Sequence, residues 1–133
     1  MKKKIIITAL GLLIALSAVA TVVYTSPKEL TPAETVTAFY DEAKALDVEG
    51  SKEYVSTDIL KAFENGGFWH YGSYGGFISN YEQNVKTVKP IINTQSIKGN
   101  SASIDVIITY TNDRKEKQKY LLVKENSQWK IAK

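Results

Sequence analysis

The sequence predicts an α+β fold: N-terminal helices packed on a curved four-stranded antiparallel meander sheet, preceded by one N-terminal transmembrane or signal helix. Three observations carry this. An uncharged apolar run, Ile5 to Tyr24, follows three lysines at the start of the chain. Apolar residues then recur at helical spacings of three and four. From Val85 onward the pattern changes to β-branched residues in alternation, broken by short polar turns. Helices first and strands after place the helices over one sheet face.

The run "IIITALGLLIALSAVATVVY" would rise about 30 Å as a helix, enough to cross the hydrocarbon core of a bilayer. Lys2, Lys3 and Lys4 would hold its start on the cytoplasmic side and send the rest outward. Two readings share that orientation. One is an uncleaved membrane anchor over residues 5–24, with Tyr24 at the interface. The other is a signal peptide, in which Ala18-Val19-Ala20 supplies the small-residue site and the chain is secreted after cleavage behind Ala20. The expected organisation is therefore an anchor or signal segment (1–24), a short tether (25–30) and an α+β domain (31–133). The address is the extracytoplasmic face of a bacterial cell membrane, single-pass with the N-terminus inside, or the exterior if the leader is cut.

The chain has no cysteine. Disulfides, thiolate metal sites and cysteine nucleophiles are thereby excluded. The net charge of +3 comes from Lys2 to Lys4 alone, because residues 5–133 hold equal numbers of basic and acidic groups. No net field draws this domain onto nucleic acid. The balance is uneven along the chain, however: 4 lysines against 10 acids over residues 25–85, then 10 basic groups against 4 acids over residues 86–133. Such a run is either a solvated face or a basic sheet face meeting an anionic polymer or lipid surface.

"TPAE" opens the first helix. Thr31 and Glu34 make a capping box, and Pro32 suits the first helical position. Val36, Phe39, Tyr40, Ala43 and Leu46 follow as one apolar stripe. "LDVEGSKEYVSTDILKAFENGG" reads as a turn and two short helices, capped by Asp47 and by Ser56 or Thr57, with Val48, Tyr54, Val55, Ile59, Leu60 and Phe63 turned inward. Asn65-Gly66-Gly67 ends the second. "FISNYEQNV" adds a last short helical turn. Of the strands, "TVKPIINTQSI" reads as the first, with Pro90 marking an edge or a bend. "SASIDVIITYT" places Ala102, Ile104, Val106, Ile108 and Tyr110 on one face. "QKYLLVKE" and "WKIAK" complete the sheet across a turn at "ENSQ".

This succession, "TPAETVTAFYDEAKALD", a polar-aromatic middle, then "SIDVIITYTND" and "KYLLVKENSQWKIAK", resembles the nuclear-transport-factor-2-like superfamily over residues 31–133. The ending, Glu125-Asn126 followed by Trp129-Lys130-Ile131, is its most specific part. The resemblance implies a curved sheet wrapped around a long helix, a cone with a pocket inside. It also implies kinship with small exported bacterial domains of unknown function related to lumazine-binding-like modules. Enzymes of the superfamily keep an acid–base Asp or His inside the cone, and no position of this chain matches one by motif.

The chemistry-bearing motifs are few. His70 is the single histidine, which excludes a multi-histidine metal site. No phosphate-cradling loop or nucleophile elbow is present, and neither a metal nor a cofactor is expected. Asp105 alternates against the apolar face of its strand and should point away from the core. The stretch "NGGFWHYGSYGGF", residues 65–77, instead concentrates five aromatic residues and five glycines. Trp69, His70, Tyr71, Tyr74 and Phe77 are the candidate contact residues for a protein partner or small ligand, since aromatic side chains on glycine-rich loops suit interfaces. As structure instead, Phe68, Trp69, Tyr71, Tyr74 and Phe77 would plug the wide end of the cone. The expected role is an extracytoplasmic, non-catalytic binding or assembly module that meets the membrane through residues 5–24 and could form a homo-oligomer. The alternatives are a small-molecule enzyme of the cyclase or isomerase kind using His70, and a structural envelope spacer or oligomerisation domain.

Overall fold

A computed structural model describes residues 4–7, 22–25 and 29–132. Lys4–Ile7 (β1) and Val22–Thr25 (β2) pair as a separate two-stranded antiparallel ladder, with Lys4 opposite Thr25 and Ile7 opposite Val22. These two ends of the apolar run are extended where a helix was expected, and their β-branched Ile and Val residues suit paired strands. The remainder of the expected anchor or signal helix lies outside the described residues, as do residues 26–28 of the tether. Among the described residues no helix is long and apolar enough to cross a membrane.

The α+β body begins with α1, Pro32–Lys44, started by the expected capping box. The Thr31 hydroxyl accepts from the Glu34 amide, and the Glu34 carboxylate accepts from the Thr31 amide, both at 3.1 Å. Val36, Phe39 and Ala43 are buried along its inner stripe. Leu46 leaves that stripe and is exposed, because the helix has already ended and Leu46 adopts a left-handed φ of 56°. The Lys44 ammonium reaches across to the carbonyls of Glu82 and Val85, 2.7 and 2.8 Å away, at the end of another helix. Asp47 and Ser56 cap the short α2 (Val48–Lys52) and α3 (Thr57–Glu64) as expected.

The next helix is longer than the sequence suggested. α4 spans Tyr74–Asn84 and takes in the last four residues of the glycine-rich stretch. Glycines lower helix propensity and hid it. Ser73 caps it by accepting from the Gly76 amide at 3.0 Å. Gly76 is required for a second reason: a Cβ there would lie 2.1 Å from the Tyr71 carbonyl oxygen.

The sheet has five strands rather than four. The segment read as one strand, 87–97, is two: β3, Val85–Pro90, and β4, Ser96–Lys98, separated by a 3-10 turn over Ile92–Thr94. Both run along the same neighbour, β5 (Ser101–Tyr110). Pro90 has no amide to continue the ladder. The chain therefore leaves the edge there, with the Ile91 amide donating to Asp105 O and the Asp105 amide to Thr94 Oγ1, each at 2.8 Å. β6 (Lys115–Glu125) and β7 (Gln128–Ile131) complete the spatial order β3-β5-β6-β7, all antiparallel. Asn126 and Ser127 turn the last hairpin with φ of 50° and 63°, as a two-residue mirror-image turn requires.

The sheet curls around α1. At its far edge the Ser56 amide donates to Ile131 O and the Ile131 amide to Tyr54 O, so the chain after α2 closes the β7 side. Two hydrophobic clusters fill the concave side. Ala33 and Val36 of α1 pack on Ala102, Ile104, Val106, Ile108, Leu122 and Trp129. Phe39 and Ala43 pack on Val55, Tyr74 and Ile78, with Phe63, Phe77 and Tyr81 around them.

Candidate functional site

The stretch 65–77 divides into three parts. Gly66 ends α3 with a left-handed φ of 75°, Trp69–Tyr71 form a 3-10 turn, and Tyr74 and Phe77 occupy the first turn of α4. Tyr74 is buried and its hydroxyl shares a hydrogen bond with the buried Ser51 hydroxyl at 2.8 Å. Burial pushes its pKa up to about 12, partly offset by that bond. Phe77 is half-buried within a ring assembly that includes Phe39, Phe63, Tyr71 and Tyr81, with centroids 5.2 to 6.3 Å apart. Tyr71 is half-buried at the margin of this assembly. His70 is exposed, its ring centroid 4.1 Å from that of Tyr71. Of Trp69 only the backbone is described. The structure thus brings Tyr71, Tyr74 and Phe77 together as an aromatic cap closing the helical side of the cone and leaves His70 at its surface.

A second aromatic group, which residue-by-residue reading of the sequence missed, lies deeper. Cross-strand register puts Glu116 opposite Ile108, Gln118 opposite Val106 and Tyr120 opposite Ile104. Paired residues share a face, so the N-terminal half of β6 presents Glu116, Gln118 and Tyr120 inward, beside Tyr110 of β5. The helical layer contributes Tyr81 of α4, whose ring meets that of Tyr40 at 6.5 Å. The Tyr40 hydroxyl donates to Lys86 O at 2.6 Å, and the Tyr110 hydroxyl donates to Glu116 Oε2 at 3.2 Å. The Tyr81 and Tyr120 hydroxyls have no protein partner among the described residues. Neither is a buried unsatisfied group, so both reach solvent from largely buried rings.

The electrostatics of this recess follow from the same contacts. The Gln118 amide donates to Glu116 Oε1 at 2.9 Å, and Arg114 Nη1 donates to Glu116 Oε2 at 3.2 Å. The Gln118 bond, with help from Tyr110 and Arg114, holds the Glu116 carboxyl below its ordinary value. Burial pushes Tyr120 up to about 12 and raises Tyr81 further, with neighbouring phenols adding to both. Burial also raises Tyr110, next to Glu116. Arg114 covers the Tyr110 ring at 4.4 Å. The shifts run away from neutrality in both directions, so the recess offers hydrogen bonds and aromatic faces of fixed protonation. The signal was present in the sequence: polar residues at every second position, Glu116 and Gln118, continue a face that is apolar elsewhere.

Two hollows lie outside this recess. One, of about 20 Å³, sits between Leu30, Tyr54 and Trp129. The other is an open groove of about 370 Å³ between the outer side of α1 and Pro90 and Ile92. Asp105 faces outward as expected, 3.7 Å from Lys119. Among the described residues no cluster of histidine, cysteine or carboxylate side chains could hold a metal ion.

The class of protein is defined by the fold, a long helix and aromatic cap enclosed by a curled antiparallel sheet. A crystal structure from Campylobacter jejuni, described provisionally as an NTF2-like transpeptidase, superposes with a TM-score of 0.52 at 17% identity, over 77% of this chain and 99% of that one. An NTF2-like protein of unknown function from Cytophaga hutchinsonii aligns at a TM-score of 0.45 and 10% identity, over 80% of this chain and 91% of that one. The chain has the NTF2-like superfamily fold. No protein-family model matches it, and no curated protein matches it.

Proposed function

We propose that the chain is an extracytoplasmic, non-catalytic binding module, tethered through residues 5–24 or secreted, which holds a small amphipathic ligand or a partner's side chain in the tyrosine recess. The observation that carries this is the pair Tyr81 and Tyr120, two largely buried rings whose hydroxyls have no acceptor among the described residues and stay open to solvent. A sheet face serving only as core would place apolar groups there rather than hydroxyls that end at solvent. Glu116, Gln118 and Arg114 supply oriented polar contacts beside the rings, the combination expected of a ligand site. The non-catalytic reading is supported by the same electrostatics, since an acid–base catalyst works best with a pKa near the operating pH. His70, the residue required by the enzymatic alternative, stands exposed on the 3-10 turn. At 17% identity the transpeptidase description of the Campylobacter protein lends this chain a fold and no activity.

Titration with anilinonaphthalene sulfonate, an amphipathic aromatic probe, tests the site. Tyr81→Phe and Tyr120→Phe are each expected to weaken binding about fivefold, the worth of one hydrogen bond, with unchanged circular dichroism. Binding that survives in both variants and in Gln118→Leu would remove the recess from consideration. Fractionation of producing cells tests the address: recovery of the chain in the cytosol is incompatible with it.

A further inference from the structure

The other face of the sheet has its own pattern. Ile104, Val106 and Ile108 point inward and are buried, so Asp105, Ile107 and Thr109 point outward. Their partners on β6 are Lys119, Lys117 and Lys115. On the other flank Lys89 pairs with Ile107, and Lys98 pairs with the outward Ser101. These five lysines are all exposed. Among the described residues only Lys119 has an acidic neighbour, Asp105 at 3.7 Å, and Lys89, Lys98, Lys115 and Lys117 form no ion pair there. Lys115, Lys117 and Lys119 follow one another at every second residue of one strand, roughly 7 Å apart. Along the same face run Ile107, Leu121 and Val123, with Leu121 41% exposed. The charge asymmetry of the sequence is thus gathered onto one open sheet face, with Leu121 and Val123 side by side at one end and Ile107 beyond the Asp105–Lys119 pair.

We propose that this outer sheet face docks on an anionic lipid bilayer, the lysines meeting lipid phosphates and the neighbouring Leu121 and Val123 entering the boundary between headgroups and acyl chains. Charge complementarity selects an anionic partner, since like-charged lysines at this spacing repel until counter-charge is supplied. The exposed Leu121 beside Val123 selects a bilayer over a hydrated polymer, because only the bilayer offers these side chains an apolar phase. A second copy is disfavoured, as it would set one lysine row on another. Gln118 and Tyr120 lie on the opposite, inward face of the sheet, which this orientation leaves uncovered.

The test is residue-resolved acetylation of the full chain bound to vesicles of phosphatidylcholine, with or without phosphatidylglycerol. The leader meets both compositions, so the difference between them reports charge alone. Lys89, Lys115, Lys117 and Lys119 are expected to react at least about fivefold more slowly on the anionic vesicles, an effect that fades at high salt. Lys52 and Lys61 on the helical side should react equally on both. In a Lys115→Gln, Lys119→Gln variant the protection of Lys89 and Lys117 should fall toward none. Equal labelling on the two compositions overturns the proposal. Protection on phosphatidylcholine that grows with protein density overturns it in favour of self-association. Protection by soluble polyphosphate without protection by anionic vesicles overturns it in favour of a polymer.

Discussion

The chain carries two groups of aromatic residues that behave in opposite ways. In the cap, the rings of Phe63, Tyr71, Tyr74 and Phe77 meet one another, and the Tyr74 hydroxyl is satisfied by Ser51. In the recess, Tyr81 and Tyr120 bury their rings and leave their hydroxyls to solvent. The cap is contiguous in sequence and catches the eye; the recess is assembled from three elements and does not. Aromatic density along the chain marks packing here, whereas aromatic side chains spaced far apart build the polar interior surface. The distinction predicts that the two groups fail differently when altered.

The largest expected effect lies in the cap. Phe77→Ala should cost about 3 kcal/mol of stability in chemical denaturation, the usual loss for a large ring in a packed assembly. A loss below about 1 kcal/mol would mean that the cap is not a unit. Gly76→Ala is next, at about 2 kcal/mol, because the new methyl must displace the Tyr71 carbonyl. Tyr74→Phe should cost about 1 kcal/mol for the Ser51 bond. Tyr120→Phe should leave stability within about 0.5 kcal/mol, there being no protein bond to lose. Equal losses for the last two variants would erase the comparison.

Alkaline titration sharpens the same contrast. Burial raises the Tyr74 and Tyr120 phenols to about 12 in the folded chain, against an ordinary value of 10.0. A raised phenol pKa contributes stability that is fully present below the unfolded value and is lost as pH rises through the folded one. The denaturation midpoint should therefore hold steady up to about pH 10 and fall toward pH 12. Tyr120→Phe should flatten that fall without changing stability at neutral pH. A pH-independent midpoint up to pH 12 would contradict the burial of these phenols.

Much of the fold was legible because it rests on local chemistry. The Thr31–Glu34 capping box, the caps at Asp47 and Ser56, and the alternation from Ala102 to Tyr110 are all readable from neighbouring residues. What escaped depended on partners far along the chain. Gly75 and Gly76 argued against a helix until the Tyr71 carbonyl showed why a side chain is excluded. Pro90 was recognised as an edge residue, but its splitting of the strand into β3 and β4 depended on the Ile91 and Thr94 bonds to Asp105. The recess was hidden for a related reason. Glu116 and Gln118 look like ordinary solvent-facing residues until cross-strand register sets them opposite Ile108 and Val106.

The two margins of the sheet have a consequence for how many copies can crowd together. On one side the margin is β3, six residues that end at Pro90, with the three residues of β4 beyond it; on the other, residues 54–56 already bond to Ile131 at the end of β7. Neither margin offers a long row of open amides and carbonyls for another chain to extend, which is how native sheets avoid fibrillar polymerisation. A domain finished in this way can be packed densely in two dimensions without its neighbours templating one another.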